Sequence, residues 1–457
     1  MAIIEPSSRS APRGRGPRAR AVGGLGLGLA LGAAAWVLLT GGAPARSAGL
    51  ARPASAAAPA DNSEARTLGQ SPEELQNRLR AHPGDWRSWG RLGFVYVEQA
   101  RVTANPALYP KAEGAFSRSL SLHRKGNFAA LAGRGALANG RHDFAGGLRW
   151  ARRAERLNPR SAEVQAVVGD SLVELGRYDE AFAAYQRMVD LGPGLASYTR
   201  ASFALDLQGD VAGARRALEL ALGEAMTPKE MAFPQYSLGE LAWNNGDVEE
   251  ARRRYEQAVR LDPAFVPAQA GLARLHAATG ETDRAVGEWS AVVARTPLPE
   301  YVAELGNLYL IAGRPAEAER QFSVLEAQRK LLEANGVNVD LEIALFSADH
   351  GVDLAQGLRA AQAEWGRRKS IHVADALAWQ LHANGRDAEA LPLADRALSL
   401  HTRNALFLFH RGMIHHALGQ EAAARADLED ALRLNPHFSL LHQETATRTL
   451  ATLRGAR

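Results

Sequence analysis

Residues 238–263 read LGELAWNNGDVEEARRRYEQAVRLDP. Two amphipathic stretches flank Gly246. Ala251 stands five residues after that glycine and Tyr255 four after Ala251, a spacing that puts them on one helical face. Pro263 closes the unit, because a proline cannot continue the helix before it. A glycine between two helices supplies a left-handed turn residue free of the Cβ penalty. The stretch therefore predicts two antiparallel helices joined by a tight turn.

The same sentence recurs. Residues 172–193 read LVELGRYDEAFAAYQRMVDLGP, residues 305–322 read LGNLYLIAGRPAEAERQF, and residues 412–436 read GMIHHALGQEAAARADLEDALRLNP. The turn glycines are read as Gly140, Gly176, Gly209, Gly246, Gly280, Gly313, Gly351, Gly385 and Gly419. Their spacings are 36, 33, 37, 34, 33, 38, 34 and 34. Small residues (Gly169, Ala181, Gly239, Gly306, Ala318) mark close helix approach, and Tyr185, Tyr255, Trp289 and Phe322 fill the space between neighbours. One hairpin cannot bury its own apolar face, so the copies must stack.

This period and consensus resemble the tetratricopeptide repeat (TPR) family over roughly residues 85–436. The resemblance implies an all-α, right-handed α-solenoid of about nine to ten helical hairpins, spanning 71–453. Trp89, Leu92, Gly93 and Tyr96 mark a first copy, with an insertion of about seven residues before Ala112. Ser71-Pro72-Glu73-Glu74 is a capping-box start, and residues 438–453 read as a capping helix. Two places depart from the pattern. Ser202 replaces the packing glycine of its unit, and the stretch 326–372 carries an extended helix before a weak copy near Gly351.

The chain has 457 residues, 46% hydrophobic, and no cysteine. Disulfides, thiol catalysis and cysteine-bound zinc are excluded. The formal charge of +4 belongs to the leader: residues 1–52 hold seven Arg and one Glu. The remainder is slightly acidic, which argues against nucleic acid as a partner. Residues 1–20 form a basic leader. Ala21 to Ala45 carry no charge, so 21–42 is a signal peptide or a single-pass anchor, and 43–70 is an Ala/Pro-rich linker. Ala43-Pro44-Ala45 fits a cleavage site, while the length of the apolar run fits retention, and both fates stay open. Arginines on the amino side predict that the body lies outside the cytoplasm, held at the membrane through 21–42 if uncleaved, or secreted after cleavage near Ala45.

Chemistry is sparse. Phosphate-loop, nucleophile-elbow, HExxH and dinucleotide signatures are absent, and the repeats leave little room for an appended catalytic domain. The expectation is no enzyme, no catalytic residue and no cofactor. His372, Asp375, Trp379 and His382 share a helical face, and His410, His415 and His416 cluster in the next repeat. A metal site would need His416 to join the first group. The preferred reading is a polar groove lining with no metal.

The family frame implies that inner helices line the concave face. Along it fall Asp170, Phe233 and His372, among others. Its middle, Tyr236, Glu240, Trp243, Arg274 and Asn307, is the expected binding patch for a protein or peptide partner. The functional expectation is therefore an extracytoplasmic interaction scaffold. Two alternatives stand beside it. Residues 79–101 resemble the opening of TPR proteins that chaperone cytochrome c assembly, and the carboxyl-terminal histidines would suit a metal-handling accessory.

Overall fold

The computed structural model describes residues 71–455. Among them are 22 α-helices and no strand. The leader, anchor and linker readings for residues 1–70 lie outside the described residues. No described helix is long and apolar enough to cross a membrane.

The helices pair into ten consecutive hairpins, from Trp86–Val102 with Leu108–Leu122 to Ala405–Ala417 with Glu421–Leu434. The helix Pro72–Ala81 leads in, and its capping box is made as expected: Ser71 Oγ accepts from the Glu74 amide at 3.2 Å, and Glu74 Oε2 accepts from the Ser71 amide at 2.9 Å. The helix Gln443–Gly455 lies on the last hairpin through Ala446, Leu450 and Leu453.

The consensus residues pack as their sizes require. Tyr255 is fully buried and wedged between two inner helices. A Cβ at Gly239 would stand 2.5 Å from its ring, and one at Gly271 2.9 Å. Helix axes this close tolerate no larger residue on that stripe. The second helices end two residues before Pro193, Pro263 and Pro436.

Two details correct the repeat frame. Gly140 is the last residue of the helix Phe128–Gly140, and the left-handed turn position falls on His142, with φ of 61°. In the first hairpin the insertion extends the inner helix, which runs over 17 residues, Trp86–Val102, where most later inner helices have 13. Ala104 then takes the left-handed position.

The solenoid winds past one full turn, and its second winding lies on its first. The Asn338 amide donates to the Arg141 carbonyl at 3.1 Å, and His142 Nδ1–H donates to the Asn338 carbonyl at 2.6 Å. The Lys369 amide reaches the Leu175 carbonyl at 3.3 Å. Tyr178 Oη accepts from the Ile371 amide at 2.7 Å. Thr402 Oγ1 donates to the Leu207 carbonyl, and Asn435 Nδ2 donates to the Trp243 carbonyl at 2.8 Å. The side-chain contacts among these join residues between 192 and 196 apart. With repeats of about 34 residues, one winding takes between five and six hairpins.

The irregular stretch is where the first winding closes. The helix Pro315–Ala334 runs for 20 residues. The loop after it returns to the first hairpin, burying Val337 and Val339 in the same core as Tyr96, Tyr109 and Phe116. Turn glycines record which units meet the second winding. A Cβ at Gly176 would stand 2.3 Å from the Lys369 carbonyl oxygen, whereas one at Gly385 would meet nothing within 4 Å. Both have positive φ, so conformation demands glycine at each, and only at Gly176 does the docked backbone demand it as well.

Candidate functional site

The winding encloses a cavity of about 1600 Å³ lined mainly by inner helices of both windings. Ordinary small-ligand pockets span about 300–1,000 Å³. Aromatic and carboxylate side chains make up about a third of the wall, which carries about twice as many Asp and Glu as Lys and Arg.

Four of the five expected patch residues, Tyr236, Glu240, Trp243 and Arg274, line this cavity together. They are already engaged with one another. Arg274 donates to Glu240 Oε1 at 2.5 Å and to Tyr255 Oη at 2.8 Å, and Tyr255 Oη–H donates to Glu240 Oε1 at 2.6 Å. The Arg274 guanidinium also lies 4.8 Å from the centre of the Trp243 ring, a cation–π placement. The same device occurs two hairpins earlier. There Arg200 grips Asp170 through two bonds of 2.9 and 3.1 Å, and Tyr185 Oη donates to Asp170 at 3.0 Å. An inner-helix acid, an outer-helix tyrosine and the arginine of a following inner helix thus lock successive hairpins in both places. Glu240 and Arg274 serve this lock, and their cavity-facing atoms remain available to a ligand only in part.

Trp243 is 5% exposed and belongs to the core around Tyr255 and Leu275. Tyr236 is half-buried and presents more of its ring to the cavity. Asn307 departs from the group. It is fully buried, absent from the cavity wall, and both polar atoms of its amide lack a partner. At that hairpin the wall is made instead by the first turns of the helix Pro299–Ile311, through Glu300, Tyr301 and Glu304. Burial pushes the carboxyls of Glu300 and Glu304 up to about 7, because a charge there is poorly solvated. Neither acid belongs to the patch read from the sequence. The acidic repeat of the helix, PEYVAEL, is their only local signal, and it looks like any solvated face.

The carboxyl-terminal histidines gather in part: the Trp379 ring stacks on His382 at 4.8 Å and on His410 at 4.1 Å, and His410 Nδ1 pairs with Asp375. His372 lines the cavity, and burial pushes its imidazole down to about 4. His382 Nδ1 is held by Asp387 Oδ1 at 2.5 Å. His415 Nδ1 pairs with Gln420 Oε1 at 2.5 Å, and His416 is exposed.

Comparisons with known proteins agree with the repeat reading. A family model described as tetratricopeptide repeat matches residues 130–196, 169–230, 236–298 and 271–330. A second model of the same description matches 405–438. Together they cover about half of the chain. Tetratricopeptide repeat protein 36 of Bos taurus is 35% identical over 131 residues, 28% of this chain and 66% of that protein, just under two thirds of the relative's length. Among solved structures, the APC/C hetero-tetramer Cut9–Hcn1 is 14% identical with a TM-score of 0.38, covering 84% of this chain and 92% of that one. A tetratricopeptide repeat protein from Parabacteroides merdae is 18% identical with a TM-score of 0.32, covering 57% and 98%. The human IFIT1 dimer with PPP-AAAA is 16% identical with a TM-score of 0.44, covering 81% and 88%.

Proposed function

Since the chain belongs to the tetratricopeptide-repeat family, we propose that it is a non-enzymatic scaffold that takes a cationic segment of a partner protein into its central cavity. The observation that carries this reading is the cavity wall, too large for an ordinary small ligand and rich in aromatic rings and carboxylates. Aromatics anchor a peptide through desolvated area, and fixed charges set which peptide is admitted. Tyr236, Glu240, Trp243 and Arg274 form one side of the proposed contact surface, with Glu300 and Glu304 on an adjoining helix.

The two raised carboxyls give the reading a pH signature. Below about pH 6 both are largely protonated, and above about pH 8 both are ionised. A lysine-bearing peptide should therefore bind more tightly as pH rises across that window, by about tenfold, or 1.4 kcal/mol. Fluorescence anisotropy with labelled peptides that alternate aromatic residues with Lys, or with Glu, measures this. The Lys series should bind with the pH step and lose it in the double variant Glu300→Gln, Glu304→Gln. Equal affinity for the two series would remove the charge argument.

The same proposal puts the body outside the cytoplasm, on the strength of the arginines that precede the uncharged run at 21–45. A reporter active only in the cytoplasm, fused after Arg457, should stay silent, and a signal there would reverse the orientation.

A further inference from the structure

Three buried polar side chains from three places in the second winding meet away from the patch around Trp243. Asp349 lies near the end of the helix Asp340–His350, His410 in the helix Ala405–Ala417, and His442 just before the capping helix Gln443–Gly455. They are 6%, 1% and 4% exposed. One ligand atom from each falls within 4.8 Å of the others.

Hydrogen bonds and ring contacts hold the three side chains in place. Asp375 takes His410 Nδ1–H through both carboxylate oxygens, at 2.9 and 3.0 Å. Trp379 Nε1–H donates to Asp349 Oδ1 at 2.7 Å, and its ring stacks on His410 at 4.1 Å. His442 Nε2 stands 3.1 Å from Asp349 Oδ1 and its ring stacks on Phe409 at 4.9 Å. His410 Nε2 is buried without any partner. Leaving a buried ring nitrogen unpaired is unfavourable. A cation between the rings would satisfy it.

We propose that Asp349, His410 and His442 bind a divalent transition-metal ion of the zinc class. Two imidazoles and a carboxylate are a donor set suited to such ions. A carboxylate behind a ligating histidine is the usual outer-shell support, fixing the tautomer that presents Nε2, and Asp375 stands in that place. Bonds of about 2.0–2.1 Å to the metal would require the three ligand atoms to draw in to about 3.3 Å from one another. That is a small movement from within 4.8 Å. Three protein ligands leave at least one position open. Asp349, His410 and His442 are not part of the cavity wall, although Asp375 is, and the proposal does not rest on the peptide reading.

The test uses the full chain without a histidine tag, stripped with a chelator and titrated with zinc against a competing indicator. One equivalent should bind. Asp349→Asn and His442→Gln should each weaken binding by about 100-fold or more, and Asp375→Asn by about 10- to 100-fold. The exposed His416→Ala should leave it unchanged. Circular dichroism and melting of each metal-free variant identify those that remain folded. Cobalt in place of zinc on the wild-type chain should give a visible spectrum of nitrogen and oxygen ligation, so the proposal can be judged even where a variant fails to fold. A wild-type chain that takes up no zinc at micromolar concentration, or gives no such cobalt spectrum, overturns it. So does binding that survives His442→Gln in a folded protein, or that disappears with His416→Ala.

Discussion

Replacing Arg368 with alanine should cost about 3–5 kcal/mol and uncouple the two windings. Arg368 is 5% exposed. Its guanidinium bonds Glu174 of the first winding and Glu364 of its own hairpin, and lies 4.7 Å from the centre of the Phe144 ring. Truncation leaves two buried carboxylates without this counter-charge, which is far worse than never having had the pair. Stacked repeats contribute stability through neighbour interfaces, so losing the seam should split a single urea transition into two. Gly176→Ala attacks the same seam from the backbone. Its strain at positive φ, about 1–2 kcal/mol, is shared by Gly385→Ala. Displacing the Lys369 carbonyl from a Cβ at 2.3 Å is not. Gly176→Ala should therefore be clearly the more damaging of the two. Equal loss at both glycines, together with an unchanged single transition in Arg368→Ala, would mean that the windings do not depend on each other.

Trp243→Ala should lower stability by about 3–5 kcal/mol, the usual range for emptying a buried aromatic site. The ring lines the cavity yet is 5% exposed. It meets the core around Tyr255 and Leu275, with the Arg274 guanidinium 4.8 Å from its centre and the His437 ring stacked at 6.4 Å. Its carbonyl also holds Asn435 of the second winding at 2.8 Å. Truncation thus opens a void at a place where hairpin packing and winding contact coincide. Trp243→Phe should recover much of the loss. Because the indole is so enclosed, Tyr236→Ala is the cleaner probe of peptide binding, and it should weaken binding with a smaller drop in melting temperature. A Trp243→Ala protein that melts like the wild type would show that the ring contributes little to the core.

The hairpins were legible in the sequence because the forces that make them act within about 40 residues. Gly239 and Tyr255 approach each other inside one unit, and Pro263 ends the helix that carries Tyr255. Where one local signal was ambiguous, the frame slipped: ANGRHD offers Gly140, but the backbone turns left-handed at His142, whose imidazole is held by the Asn338 carbonyl 196 residues away. The site was half legible. Tyr236, Glu240, Trp243 and Arg274 follow from the repeat frame and do meet on one wall. Asn307 follows from the same frame and is buried instead.

The sequence by itself therefore determined the unit: its length, its turn, its small and aromatic packing residues and the all-helical class. Those are set by local steric and apolar periodicity, which side-chain types record directly. Only the tertiary structure decided how the units wind. A small rotation between neighbours, repeated over five or six hairpins, brings residues 192 to 196 apart into contact. Much of that contact is made by backbone carbonyls at Arg141, Leu175, Leu207 and Trp243. A carbonyl is the same on every residue, so no side chain announces the partner. The cavity between the windings likewise exists only once the second winding lies on the first, while the meeting of Asp349 with His410 and His442 needs the packing of neighbouring hairpins within the second winding.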